Sequence, residues 1–116
     1  MASVLLIEDE ALIQMMIADM LAELGHTVVA EASDLPSALE HATNTEFDFA
    51  VLDVLLGRAS SEPVAVILTE RNIPFAFASG YGAEGIPDGF QDRPLLTKPF
   101  QIDQLERCIA KLIDRS

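Results

Sequence analysis

Five short apolar runs alternate along this chain with stretches in which apolar residues recur at helical spacing. The runs are Ser3 to Ile7, Thr27 to Ala32, Phe47 to Leu52, Pro74 to Ala78 and Leu95 to Thr97. Strands separated by helices pair in parallel, because a parallel neighbour needs a crossover long enough to contain a helix. The alternation therefore predicts an α/β fold, a doubly wound five-stranded parallel sheet with helices on both faces.

The helices between these runs are indicated by their apolar stripes and capping residues. The second helix begins after Asp34, a residue type that caps helix N-termini, and Ser60 or Ser61 has the same place before the third. Val64 to Leu68 has the composition of a buried strand, but its position in the alternation favours helix. Apolar stripes mark the first and last helices at Leu12, Ile13, Met16, Ile17, Met20, Leu21 and Leu24, and at Ile102, Leu105, Ile109 and Leu112.

The segment between Ser79 and Pro94 interrupts this pattern. Glycine and proline, the two weakest helix formers, recur throughout it. They are Gly80, Gly82, Gly85, Pro87 and Gly89. We therefore expect the fourth helix of the alternation to be short or disordered.

Composition limits the functions open to the chain. Its 116 residues suffice for one domain, and half of them are hydrophobic. The formal net charge of −12 opposes binding to nucleic acid and to anionic membranes, which proteins bind through basic residues. With Cys108 as its only cysteine, the chain has no internal disulfide and cannot form a zinc site from Cys and His alone. Without a signal-peptide pattern or a membrane-length apolar run, we expect a cytoplasmic single domain over residues 1–116, with no output domain.

Polar residues follow four of the predicted strands at the point where each ends. Glu8 and Asp9 follow the first strand. Asp53 follows the third, Ser79 the fourth and Lys98 the fifth. These ends meet at one edge of a parallel sheet, where three crowded carboxylates repel one another unless a cation such as Mg²⁺ binds them. A carboxylate beside Mg²⁺ can attack phosphorus while a lysine and a hydroxyl hold phosphoryl oxygens.

From Val4 to Ile113 the chain resembles the receiver domain of bacterial two-component response regulators. The resemblance lies in the pair Glu8-Asp9, in Asp53 within VLDVLLG, in Ser79 within FASG and in the pair Lys98-Pro99. It implies a flavodoxin-like receiver fold and a signalling protein, which catalyses only its own phosphoryl transfer and hydrolysis. Its expected partners are a histidine kinase or phosphotransfer protein and an unidentified downstream protein.

The resemblance also implies which residues bind the phosphoryl group and the metal. Asp53 would be the phosphoacceptor. Asp9 and Asp53 would hold Mg²⁺ directly, together with the main-chain carbonyl of Leu55, and Glu8 would act mainly through water.

Ser79 and Lys98 would each hold a phosphoryl oxygen, and the Lys98–Pro99 peptide would be cis, as is usual in the family. The family's aromatic switch residue lies three positions before the lysine, where this chain has Leu95. PFAFASGYG (residues 74–82) instead resembles a subgroup, consisting largely of stand-alone receivers, whose fourth strand ends in Phe-Ala-Thr-Gly-Tyr. We therefore expect Tyr81 and the glycine-rich loop at 80–89 to respond to phosphorylation.

Two other classes of function remain open. A receiver-like interaction module that is not phosphorylated would have the same fold, although such relatives typically lose the acidic pair, the acceptor or the lysine. An Asp-nucleophile phosphatase would need a second acid two residues after Asp53, where Leu55 stands. The run Gly80 to Gly85 also matches G-x-G-x-x-G, but it follows the fourth strand and not the first, so dinucleotide binding is a weak alternative.

Overall fold

A computed structural model describes residues 2–80 and 82–113 and contains seven strands. Five of them form one parallel sheet, and two form a short antiparallel hairpin. The strands are β1 (Ser3–Ile7), β2 (Thr27–Ala32), β3 (Phe49–Asp53), β4 (Leu55–Leu56), β5 (Ala59–Ser60), β6 (Phe75–Ser79) and β7 (Leu95–Thr97). The sheet has the order β2-β1-β3-β6-β7, and β4 pairs with β5.

Four α-helices cover the two faces of the sheet. They are α1 (Ala11–Glu23), α2 (Leu35–Asn44), α3 (Glu62–Glu70) and α4 (Ile102–Ile113). One buried cluster joins the sheet to α2 and α3, and a second joins it to α1 and α4. The predicted doubly wound, flavodoxin-like fold is confirmed. Within the described residues, no helix is both long and apolar enough to cross a bilayer.

The apolar runs of the sequence reflect burial of the central strands on both faces. In β1, Leu5 and Ile7 belong to the cluster under α2 and α3, whereas Val4 and Leu6 belong to the cluster under α1 and α4. Every residue of β3 and β6 is buried. Parallel strands covered on both faces have continuous apolar sequence, and therefore polar residues in this sheet are concentrated at the strand ends.

The predicted bounds of the third and fourth strands were wrong. They begin at Phe49 and Phe75, and each extends one residue further, to Asp53 and Ser79. The cause is inter-strand pairing, because Asp53 pairs with Ala78 and Ser79 with Thr97. Both polar residues are therefore fixed by the sheet itself.

The expected weak fourth helix is a single 3-10 turn, Gly82–Gly85. Gly82 has a φ of 62° and Gly89 a φ of 91°, conformations that an α-helix cannot contain. Phe90 anchors the segment to the sheet, with its ring centroid 6.2 Å from that of Phe77 and 6.3 Å from that of Phe75. The prediction of a short fourth helix is confirmed.

The N-terminal cap of α2 is the one predicted from the sequence, whereas the two serines before α3 have different roles. The Asp34 carboxylate accepts a hydrogen bond from the Ser37 N–H at 2.8 Å. Before α3, Ser60 Oγ accepts from the Glu62 N–H at 3.1 Å. The Ser61 hydroxyl instead donates to the Val54 carbonyl at 2.9 Å, and so ties the start of α3 to the end of β3.

We expect Asp34→Ala to lower the free energy of unfolding by about 1 kcal/mol, because it removes the acceptor for a helix N-terminal N–H. Asp19→Ala, at an exposed position of α1, is the matched control because it removes the same charge without a cap. Its effect should stay within about 0.5 kcal/mol. Urea denaturation of the two variants measures the difference, and equal losses would contradict the capping role.

Candidate functional site

Five of the residues predicted from the sequence meet at the carboxyl edge of the sheet. Glu8 and Asp9 directly follow β1, Asp53 ends β3, Ser79 ends β6 and Lys98 directly follows β7. All but Glu8, which is buried behind the others, line one cavity of about 330 Å³. The full lining is Asp9, Glu10, Asp53, Val54, Leu55, Gly57, Ser79, Gly80 and Lys98.

Lys98 links two of the acids. Its Nζ lies 2.6 Å from Glu8 Oε1 and 3.2 Å from Asp53 Oδ2. Burial alone would lower the pKa of Lys98, but its hydrogen bonds and attraction to these two carboxylates raise that pKa, so the ammonium stays charged. The Glu8 side chain is only 1% exposed, and Lys98 supplies the positive charge that a buried carboxylate requires.

Asp53 is the acid most perturbed by its surroundings. Burial is the largest cause, and the neighbouring Glu8 carboxylate adds to it, so that the pKa of Asp53 rises to about 7. The positive charge of Lys98 offsets only part of this rise. The Leu55 N–H donates a long hydrogen bond of 3.4 Å to Asp53 Oδ1. An added positive charge in the cavity would therefore stabilise the Asp53 carboxylate.

Asp9 connects the β1–α1 loop to the hairpin that follows β3. Its Oδ2 accepts the Gly57 N–H at 2.8 Å. Partial burial acts to raise the pKa of Asp9, but the Gly57 N–H and other hydrogen bonds outweigh it and lower that pKa. Gly57, with a φ of 64°, begins the two-residue turn between Leu56 and Ala59. A glycine in the first position of such a turn is typical of a hairpin, so Gly57-Arg58 is the signal by which the sequence could have revealed β4–β5.

The oxygen donors of the cavity fit Mg²⁺, which prefers a few carboxylates with water. Asp9 and Asp53 offer carboxylate oxygens to the cavity. The N–H and C=O of one strand residue point to the same side, so the Leu55 carbonyl faces the side on which its N–H reaches Asp53. Glu8 uses both oxygens inside the protein, Oε1 with Lys98 and Oε2 with the Glu10 N–H, which leaves it a poor direct ligand.

Glu10 is a cavity residue that the sequence did not single out. Its carboxylate, with those of Glu8 and Asp9, forms a group whose oxygens lie within 4.8 Å of one another. Glu10 is exposed and lies before the first residue of α1, where an acid also suits the helix dipole. The run of three acids in the sequence was the available signal.

The structure also places Ser79, the Lys98–Pro99 peptide and Leu95, which the sequence analysis named. Ser79 is 1% exposed and lines the cavity at the end of β6. The Lys98–Pro99 peptide is cis, as the resemblance implies. Leu95 is half-buried against the cluster that contains Phe77. Tyr81 lies outside the described residues.

The family model described as "Response regulator receiver domain" matches residues 4–110. Among curated proteins, the transcriptional regulatory protein PdtaR of Mycobacterium tuberculosis is 32% identical over 97% of this chain. The chain spans only 57% of the length of PdtaR.

Two solved structures have the same fold as this chain. The solution structure of SdrG from Sphingomonas melonis Fr1 is 39% identical, with a TM-score of 0.87 and coverage of 97% of both chains. The receiver domain of the Erythrobacter litoralis PhyR response regulator is 28% identical, with a TM-score of 0.85 and coverage of 99% of this chain and 92% of that one.

Proposed function

Because this chain belongs to the response regulator receiver family, we propose that it accepts a phosphoryl group on Asp53 from a histidine kinase or phosphotransfer protein. The observation that carries this proposal is the position of Asp53, at the base of a cavity that Lys98 and Ser79 also line. We assign the chain to the stand-alone subgroup in the cytoplasm, with signalling through a downstream protein.

The proposed reaction is a transfer between two nucleophiles. An Asp53 carboxylate oxygen bonds to phosphorus while the bond from phosphorus to the donor histidine nitrogen breaks, and the donor imidazole keeps the electron pair. Asp53 must be deprotonated for this attack, which its raised pKa opposes and a bound cation favours. Mg²⁺, held by Asp9, Asp53 and the Leu55 carbonyl, would neutralise charge on the carboxylates and on the incoming phosphoryl oxygens.

Two further side chains are placed to hold the transferred group. Lys98 Nζ is 3.2 Å from Asp53 Oδ2, so a phosphoryl group on Asp53 would lie within reach of its ammonium. The Ser79 hydroxyl lines the same cavity from the neighbouring strand. Charge neutralisation and positioning account for most of the catalysis in phosphoryl transfer. Lys98 would neutralise charge on the phosphoryl oxygens, and Ser79 would position one of them.

Beryllofluoride, a phosphoryl mimic, provides the test. Added with Mg²⁺, it should shift the amide resonances of Asp53, Ser79 and Lys98 in the wild-type protein. Asp53→Asn should show no such shifts, because the mimic needs the carboxylate oxygen. A protein whose cavity resonances do not respond to saturating Mg²⁺ and beryllofluoride would be an interaction module that is not phosphorylated.

We further propose that Tyr81 and the loop at 80–89 respond to phosphorylation. This proposal is supported by Leu95 at the position of the usual aromatic switch, and by a 3-10 turn in place of a fourth helix. Hydrogen exchange at the Gly82 to Gly89 amides, with and without the mimic, measures the response. Unchanged exchange in a protein that binds the mimic would contradict this role.

We expect the phosphoryl group to be lost slowly, over minutes or longer at room temperature. Leu55 and Tyr81, two residues after Asp53 and Ser79, are not acids or amides that could orient an attacking water. Leu55 is exposed at the cavity, so Leu55→Asn should shorten the lifetime, whereas Leu55→Met should leave it unchanged. Loss within seconds in the wild-type protein, followed by mass spectrometry, would contradict this account.

The residue at position 55 also disfavours the alternative that the chain is an Asp-nucleophile phosphatase. Leu55 stands where a general acid would be needed to protonate a leaving group. The other acids that line the cavity, Asp9 and Glu10, come from the loop after β1 and not from the position two residues after Asp53.

A further inference from the structure

A second cavity, of about 270 Å³, lies at the amino edge of the sheet, at the opposite end of the strands from the cavity that contains Asp53. Its lining comes from the last turn of α3, the loop before β6, the segment before β7 and the end of α4. The residues are Thr69, Asn72, Ile73, Pro74, Arg93 and Leu112. None of them lines the Asp53 cavity or belongs to β7. The two cavities are therefore separate sites.

Arg93 is held in this second cavity by a ring and a hydroxyl. Its Cζ lies 4.7 Å from the centroid of the Phe75 ring, which is a cation–π contact. Its Nη2 donates to Thr69 Oγ1 at 3.1 Å, and that hydroxyl donates to the Ala65 carbonyl at 2.8 Å. Because the hydroxyl hydrogen is engaged with Ala65, Thr69 acts as an acceptor for Arg93. Ring and hydroxyl together orient the guanidinium before a ligand arrives.

The Arg93 guanidinium keeps most of its hydrogen-bonding capacity. A guanidinium has five N–H donors in a planar fork. In the described part of the chain, Thr69 is its hydrogen-bond partner, and no carboxylate forms an ion pair with it. An oriented arginine without a counter-ion can bind a planar oxyanion through two parallel hydrogen bonds. The cavity therefore contains one preformed anion-binding group.

The side of the cavity formed by Ile73, Pro74 and Leu112, called here the apolar wall, suits a short hydrocarbon group. Ile73 packs against the core cluster under α2 and α3, whereas Leu112 belongs to the cluster under α1 and α4. Pro74 has no N–H, and its carbonyl accepts from the Ala50 N–H at 3.1 Å. A ligand with one oxyanion and a small apolar body would use both parts of the cavity.

The surrounding charge favours a monoanion over a dianion. Arg93 is the one cation among the lining residues. Glu70 and Asp92, which adjoin Thr69 and Arg93 in the chain, are exposed acids, and the formal net charge of the protein is −12. One guanidinium neutralises a carboxylate, but it leaves a phosphate dianion with excess negative charge that this acidic surface repels.

We propose that this cavity binds a small monocarboxylate with a short apolar chain, its carboxylate on the Arg93 guanidinium and its chain against the apolar wall. Asn72 and Thr69 supply the other polar side chains of the lining, so a ligand with a second polar group also finds a partner. This inference does not depend on phosphorylation of Asp53.

Isovalerate and its neutral amide, isovaleramide, test the need for a carboxylate. In NMR titrations at constant ionic strength, isovalerate should shift the amide resonances of Asn72 and Arg93 saturably, in the millimolar range. Isovaleramide should bind about tenfold more weakly or worse, because it lacks the charge that pairs with the guanidinium. The amides of Asp53 and Lys98, at the other end of the strands, should not respond to isovalerate.

Substitutions at Arg93 test which residue binds the carboxylate. Arg93→Gln should weaken isovalerate binding by about tenfold or more. Arg58→Gln, at the exposed tip of the β4–β5 hairpin, makes the same change in net charge and should leave binding unchanged. Arg93→Lys decides the matter if Arg93→Gln does not fold. It keeps the charge but lacks the planar fork, and should weaken binding by about threefold or more.

Inorganic phosphate at pH 8, where it is mainly a dianion, separates the two kinds of oxyanion and should bind more weakly than isovalerate. Phosphate binding as tight as that of isovalerate, or tighter, would overturn the assignment to a monocarboxylate. Equal affinity for isovalerate and isovaleramide, resonance shifts confined to other parts of the protein, or unchanged affinity in the Arg93 variants would each overturn the proposal of a site at Arg93.

Discussion

Asp53→Asn is expected to raise the thermal unfolding midpoint of the metal-free protein at pH 8 by about 5 °C or more. The pKa of Asp53 is about 7 in the folded protein, whereas an unperturbed aspartate has 3.8. Because the folded state favours the protonated form, the stability from Asp53 is fully present below pH 3.8 and is lost as the pH rises through 7. At pH 8 the carboxylate therefore costs roughly 2 to 4 kcal/mol, which asparagine removes.

The pH dependence and a control separate this effect from a general loss of charge. The gain from Asp53→Asn should shrink at pH 5, where the wild-type side chain is mostly protonated in the folded state. Asp103→Asn removes an exposed carboxylate and should change stability by less than about 1 kcal/mol at either pH. Saturating Mg²⁺ should stabilise the wild-type protein and leave Asp53→Asn nearly unchanged. A variant no more stable than wild type at pH 8 would contradict the burial of a charged Asp53.

Lys98→Met is expected to lower the free energy of unfolding by about 3 to 5 kcal/mol at pH 8. The variant keeps the apolar stem of the side chain and removes the charge that lies 2.6 Å from Glu8 and 3.2 Å from Asp53. Both carboxylates are buried, and a buried charge that loses its partner is strongly destabilising.

Two further variants test whether the loss of stability in Lys98→Met comes from the unpaired carboxylates. Arg107→Met removes a cation from an exposed ion pair and should cost less than about 1 kcal/mol. Adding Glu8→Gln to Lys98→Met should recover part of the lost stability, because it removes the most buried of the unpaired acids. If Lys98→Met costs no more than Arg107→Met in urea denaturation, the ion pairs at this edge contribute little.

The convergence of Asp53, Ser79 and Lys98 could be predicted because each residue stands at the end of an apolar run. Burial on both faces leaves the ends of parallel strands as the places for polar side chains, and all these ends meet at one edge. The order and type of the runs were enough to place the residues together. The cap at Asp34 and the weak helix after Ser79 were predictable for a similar reason, since short-range signals set them.

What the sequence did not predict depends on contacts between distant residues. The pairing of β3 with β6 fixes the end of the third strand at Asp53, and pairing is set by neighbours far away in the chain. The bond from Lys98 to Glu8 joins residues ninety positions apart. The bond from Gly57 to Asp9 likewise joins residues 48 positions apart.

Intact mass spectrometry after incubation with Mg²⁺ and two small donors, acetyl phosphate and phosphoramidate, tests the central claim most directly. Phosphoramidate contains the phosphorus–nitrogen bond of a phosphohistidine donor, so the pair covers both kinds of leaving group. We predict a single phosphoryl adduct on the wild-type protein, no adduct without Mg²⁺, and none on Asp53→Asn. A wild-type protein that gains no adduct from either donor, or an Asp53→Asn protein that gains the same adduct, would contradict the assignment of Asp53 as the phosphoacceptor.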